Sequence, residues 1–148
     1  LLADCRMLEV PQAQGSVFLQ EGLIHRTSKG LAVRSKSELL IAEAFGSAGV
    51  EFEYEKPLTL GGGTRYPDFT IEDEISGRTV YWEHLGMLAR KDYRRGWEKK
   101  LAWYRANGVL PVGESNGGEA VLVTTTDSSV SGVDMSQVKL LISEVCGG

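Results

Sequence analysis

The sequence predicts an α/β fold: a four-stranded mixed sheet with helices on both faces. Three observations lead there. The apolar pattern runs helix, three strands, helix, strand, helix along the 148 residues. Two strand-like segments, Arg65 to Asp73 and Arg78 to Leu85, flank a short turn at Glu74-Ile75-Ser76-Gly77. A long helical segment then leads to an Ala-Val-Leu-Val run inside Glu119 to Thr126, which reads as a buried strand.

Taken in order, Ser16 to Ile24 is compatible with a short strand or with a winged or linker element, and Ser28-Lys29-Gly30 reads as a turn. Ser35 to Ala48 is expected to be a helix, with Leu39, Leu40, Ala42, Ala44 and Phe45 apolar and Gly46 and Gly49 at its end. Glu51 to Leu60 alternates as a strand does, and Gly61-Gly62-Gly63 breaks it as a turn. The two hairpin strands follow. Ala89 to Asn107 is helical and stops at Gly108. Asp134 to Val145 closes the chain as a helix with Val138, Leu141, Ile142 and Val145 on one face. Residues 1–33 read as an N-terminal extension or linker and 34–148 as the domain.

Hydrophobic residues make up 42% and charged residues 24%, a globular balance that argues against disorder. No stretch approaches the ~20 apolar residues of a spanning helix, so no membrane partner is expected. Cys5 and Cys146, the two cysteines, are too few for a disulfide framework or a four-thiolate zinc site. The two histidines, His25 and His84, are too few and too far apart for a zinc hydrolase site. The chain opens Leu1-Leu2-Ala3, and no basic-then-apolar signal follows. The expectation is a piece of a longer protein or a processed product, from a reducing, cytoplasmic compartment. Net charge is −4, yet residues 89–108 hold seven basic side chains against Asp92 and Glu98. That segment is either a solvated helix face or a phosphate-facing footprint.

The hairpin carries the candidate chemistry. If its turn is symmetric about Ile75 and Ser76, facing residues have numbers that sum to 151, and Asp68 lies opposite Glu83. Opposed residues share a face with β-carbons ~4.5–5.5 Å apart. Two like charges so placed need a cation between them, unless the register slips or one side chain is exposed. Glu83 also sits in an apolar and aromatic run, Tyr81-Trp82-Glu83-His84-Leu85, where an unpaired acid is costly. On the long helix, Tyr93, Trp97, Lys100 and Tyr104 recur at spacings of four, three and four, so Lys100 lies on the core-directed stripe. Its ammonium either snorkels out or points at buried negative charge. Ser35-Lys36-Ser37-Glu38 is a capping box, which accounts for Glu38; the same glutamate could also be a third acid facing the ion.

These blocks, Arg34-Ser35-Lys36-Ser37-Glu38, Tyr66-Pro67-Asp68-Phe69-Thr70-Ile71, Tyr81-Trp82-Glu83-His84-Leu85-Gly86 and Tyr93…Trp97…Lys100…Tyr104, resemble the PD-(D/E)XK nuclease superfamily across residues 30 to 145. They are similar to a branch found as single domains and attached to helicases. The resemblance implies a restriction-endonuclease-like core, α-β-β-β-α-β-α, and Mg²⁺-dependent hydrolysis of DNA phosphodiester bonds, with Mn²⁺ a substitute and RNA an alternative substrate. It implies Asp68, Glu83 and Glu38 as catalytic acids that bind the metal together with a carbonyl of His84 or Leu85. The superfamily's lysine, two residues after the second acid, is here Leu85; Lys100 is the matching candidate from the following helix. Arg34, Lys36, Arg94, Arg95, Lys99 and Tyr104 are the implied nucleic-acid contacts, and a fused or associated helicase is an implied partner. Loss of the usual lysine keeps open the alternative of an inactive nuclease fold that only binds nucleic acid or a partner protein. A small-molecule α/β enzyme is disfavoured because no glycine loop precedes a helix.

Overall fold

The computed structural model describes residues 2–3, 5–6, 22–114, 118–128 and 132–146. The chain divides into two compact units, Leu1–Glu43 and Ala44–Gly148. The division falls inside the helix that spans residues 36–47.

In the first unit, β1 (Leu2–Ala3) pairs antiparallel with β2 (Cys5–Arg6), and β3 (His25–Arg26) with β4 (Ala32–Val33). The β3–β4 turn holds Ser28, Lys29 and Gly30, with Gly30 at φ 92°. The expected strand from Ser16 to Ile24 lies largely outside the described residues; positions 22–24 are not strand. Helix α1 (Lys36–Ser47) begins at the capping box. Ser35 Oγ accepts from the Glu38 amide at 3.1 Å, and Glu38 Oε1 accepts from the Arg34 amide at 3.2 Å. The first bond satisfies an amide that the first helical turn leaves without a partner, and the second ties the residue before the N-cap back to the helix.

The second unit is built on a six-stranded mixed sheet in the order β10-β11-β9-β8-β5, with β12 also paired to β11. Its strands are β5 (Glu53–Tyr54), β8 (Phe69–Asp73), β9 (Arg78–Leu85), β10 (Leu110–Pro111), β11 (Ala120–Ser128) and β12 (Gly132–Val133). Strands β9 and β11 run parallel, with α2 (Lys91–Ala106) in the crossover between them, while β8 is antiparallel to both β9 and β5. Helix α3 (Met135–Val145) buries Val138, Ile142 and Val145, and its N-cap Asp134 accepts from the Ser136 and Gln137 amides.

The four-strand expectation is corrected to six, for local reasons. Glu55 sits at φ 54° and Pro57 follows, so the expected strand from Glu51 to Leu60 breaks after two sheet residues. Its remainder forms a separate hairpin, β6 (Leu58–Leu60) with β7 (Gly63–Arg65). Gly61 and Gly62, at φ 57° and 83°, make the two-residue turn. Pro67, which lacks an amide donor, ends β7's extension before β8 begins. Two-residue strands β10 and β12 add to β11.

The β8–β9 pairs, Phe69 with Trp82 through Asp73 with Arg78, all sum to 151. Strand alternation then assigns the two faces. Phe69 and Trp82 share one, where Phe45 of α1 meets both edge-on at centroid distances of 5.2 and 5.0 Å; all three rings are fully buried. Tyr81 and Glu83 share the other, covered by α2, whose Tyr104 packs with Val109 and Leu122. Helix α2 ends in a Schellman motif: Gly108 at φ 81°, its amide on Arg105 O, and the Val109 amide on Tyr104 O.

Candidate functional site

Where β9 and α2 face each other, Asp68, Glu83, His84, Leu85, Tyr93, Gly96, Trp97 and Lys100 line a cleft of about 300 Å³. Asp68 stands one residue before β8, in the register that places it across from Glu83, and its Oδ2 accepts from the His84 amide at 2.7 Å. That bond turns the carboxylate toward β9.

Glu83 is nearly inaccessible, its side chain 4% exposed. Its Oε2 accepts from the Tyr104 hydroxyl at 2.6 Å and lies 2.7 Å from the Lys100 ammonium. A buried carboxylate needs such partners to remain charged. Lys100 also donates to the Tyr66 carbonyl at 3.1 Å, so its ammonium bridges the segment before β8 to the middle of β9. It is not snorkelling. Burial, then the charge of Glu83, pushes the Tyr104 phenol far above its usual range, so it stays a donor.

His84 contributes through its backbone. Its amide holds Asp68, and its carbonyl accepts from the Tyr93 hydroxyl at 3.4 Å. Its ring lies on the other face, where Nδ1 is 2.9 Å from Thr125 Oγ1 and Nε2 is 2.7 Å from Asp127 Oδ1. Trp82 Nε1 donates to the same Thr125 hydroxyl at 3.2 Å. Thr125 is the register partner of His84 in the parallel β9–β11 ladder.

The remaining candidates are more dispersed. Arg94, Arg95 and Lys99 are exposed on α2, and Arg94 donates to the Leu88 carbonyl at 3.1 Å. Glu38, Arg34 and Lys36 belong to the first unit; Glu38 is buried with its carboxylate on the Arg34 amide, and Lys36 is exposed. Tyr104 is a correction: it is fully buried with its hydroxyl on Glu83, so it cannot touch a nucleic acid and instead orients the acid. Trp97, on the stripe expected to be core, packs against the Tyr104–Val109–Leu122 cluster; it is half-buried and also lines the cleft.

Sequence reasoning missed the Tyr66 carbonyl, the Tyr93 hydroxyl and the Thr125–His84–Asp127 chain. Helical spacing put Tyr93 on the stripe of Lys100, a signal for its place in the cleft. The β9–β11 register, which brings Thr125 to His84, has no local signal.

Among the described residues, no group of three or more His, Cys, Asp and Glu side chains is placed to hold a metal. The cleft instead offers two carboxylates and backbone carbonyls, an oxygen-only set. That donor chemistry suits a hard cation such as Mg²⁺ or Mn²⁺, which needs few protein ligands and keeps several waters. Among the described residues, no helix is long and apolar enough to cross a membrane.

The chain is 35% identical to the "Uncharacterized protein MJ1519" of Methanocaldococcus jannaschii over 114 residues, an alignment that covers 70% of this chain and 9% of that protein. The chain thus matches a small part of a far longer relative. No family model and no solved structure matches it.

Proposed function

We propose that this chain is a divalent-cation-dependent nuclease domain that hydrolyses phosphodiester bonds in DNA, on a restriction-endonuclease-like form of the α/β fold and akin to the PD-(D/E)XK superfamily. One observation carries the reading. Position 85, where that superfamily's lysine would stand, is leucine, and Lys100 from the next helix brings its ammonium to 2.7 Å from Glu83 in the cleft that also holds Asp68.

Asp68, Glu83 and the His84 or Leu85 carbonyl would hold Mg²⁺ or Mn²⁺. A divalent cation bound there lowers the pKa of water and offsets charge on phosphate oxygens. The protein's own groups do the rest. Tyr104 and the His84 amide fix the two carboxylates, so they need not reorganise when substrate arrives. Lys100 presents a positive charge where negative charge grows on the phosphate during attack by water, and so stabilises the transition state. Arg94, Arg95 and Lys99 supply sequence-independent phosphate contacts. The domain then acts in the cytoplasm, as the nuclease module of a larger DNA-processing protein or beside a helicase.

A second reading has its own support. Glu83 Oε2 is already engaged by Lys100 and Tyr104, an arrangement that also suits a closed ion pair in an inactive nuclease fold that only binds nucleic acid or a protein. One experiment separates them: incubation with single-stranded, duplex and branched DNA and with RNA, each with Mg²⁺ or Mn²⁺, and Asp68→Ala as control. Cleavage that Asp68→Ala abolishes supports the nuclease. Binding without cleavage by the unmodified protein supports the second reading.

A further inference from the structure

Helix α2 carries a glycine at its sixth position, Gly96, inside a run of sixteen helical residues. Glycine is the poorest helix former after proline, and a glycine in a helix interior usually reflects a packing need. Here there is none. Gly96 is exposed, and beyond its chain neighbours and its own helix backbone a Cβ there would meet no atom within 4 Å among the described residues. Yet Gly96 lines the cleft, on the same helix stripe as Tyr93, Trp97 and Lys100. The missing side chain leaves room that the protein itself does not fill.

The wall around that space is aromatic. Trp97 packs on one side against the Tyr104–Val109–Leu122 cluster and is half-exposed along the cleft, and Tyr93 is tethered to the His84 carbonyl, while Asp68, Glu83 and Lys100 form the polar side. A duplex would offer this cleft a phosphodiester alone, which has no use for an indole. An unpaired nucleotide offers both parts: a phosphodiester for the polar side and a flat base for Trp97. At about 300 Å³ the cleft is at the small end of ligand sites, the scale of one nucleotide.

We propose that Gly96 and Trp97 form a seat for an unpaired nucleobase, so that the cleft takes single-stranded nucleic acid in preference to duplex. This rests on the nuclease reading for the polar side of the cleft, and on Gly96 and Trp97 for the seat. A base stacked on an aromatic ring contributes the affinity, and the bare Gly96 backbone lets the strand approach α2 closely.

The test is binding, in metal-free buffer, of a short fluorescent oligothymidylate and of a blunt duplex of equal length, with melting temperatures of each variant. The unmodified protein should bind the single strand about 10-fold more tightly or better. Gly96→Ala should raise the melting temperature by roughly 2–4 °C yet weaken single-strand binding about 10-fold. Opposite signs on stability and binding are what a merely structural glycine would not give. Trp97→Ala should lose roughly 10- to 100-fold, and Trp97→Tyr should retain most of the affinity. Equal or tighter duplex binding, or a stabilised Gly96→Ala that binds like the parent, overturns the proposal. Mg²⁺-dependent cleavage confined to duplex DNA would sink the seat and keep the nuclease. Single-strand binding that Gly96→Ala weakens, with no cleavage of any substrate, would keep the seat and sink the nuclease. No binding to either probe overturns the seat, while the nuclease reading stands or falls on the cleavage assay.

Discussion

Replacing Lys100 by methionine removes the ammonium but keeps most of the stem. Glu83 is then left with its carboxylate 4% exposed and one of its two partners gone. Breaking a buried ion pair from one side costs about 3–5 kcal/mol. Two features lower that figure here: the Lys100 side chain is 22% exposed, and the Tyr104 hydroxyl still donates to Glu83 at 2.6 Å. The expected loss is therefore about 2–3 kcal/mol, or roughly 6–9 °C in melting temperature for a chain of this size. Urea unfolding followed by circular dichroism measures it. In a double-mutant cycle, Glu83→Gln should recover most of the loss, since the neutral amide can still accept from Tyr104, giving a coupling of about 2 kcal/mol. A Lys100→Met loss below about 0.5 kcal/mol is the size of a surface pair, and would mean that Lys100 does not reach Glu83.

Other outcomes follow from the same geometry. The Tyr104 phenol is raised in the folded state by burial and by Glu83, so the folded protein keeps a proton that the unfolded chain loses near pH 10. Stability should be complete below about pH 10 and fall above it by up to ~1.4 kcal/mol per pH unit, a slope that Tyr104→Phe should flatten in alkaline urea titrations. Trp82→Ala should cost about 3–5 kcal/mol because the ring is fully buried against Phe45, whereas half-buried Trp97→Ala should cost about half that by the same denaturation measurement. Removing charge at exposed Arg95 or Lys99 should weaken DNA binding alike across sequences and lower the salt slope by about 1 per residue, read from binding at several salt concentrations.

Much of the site was legible because its parts are close in sequence. The turn at Glu74–Gly77 sets the 151 register, and one register is enough to bring Asp68 across from Glu83. Helical periodicity alone put Lys100 on the inward stripe, since a helix turns ~100° per residue and Lys99 must face elsewhere. The misses have physical causes too. Alternation in Glu51 to Leu60 looked like one strand, but pattern does not reveal that Glu55 takes a positive φ and frees the next residues to form a hairpin. The core-directed stripe placed Tyr104 inward, where it is fully buried, so the expectation that it contacts nucleic acid fails; that its hydroxyl donates to Glu83 depends on how α2 seats on the sheet, which spacing does not reveal. The His84–Thr125–Asp127 chain depends on a parallel register set across a long crossover, which local sequence does not encode.

The central claim is that Lys100, brought in from α2, serves the chemistry of the Asp68–Glu83 cleft. Single-turnover cleavage of DNA with Mg²⁺ or Mn²⁺, at a temperature where every variant is folded, tests it most directly. Lys100→Met should slow the chemical step by about 10²–10³-fold while DNA affinity stays within a few-fold; Lys99→Met should weaken affinity and leave that step unchanged. Equal single-turnover rates for the two variants, or no cleavage of any nucleic acid by the unmodified protein, would contradict it.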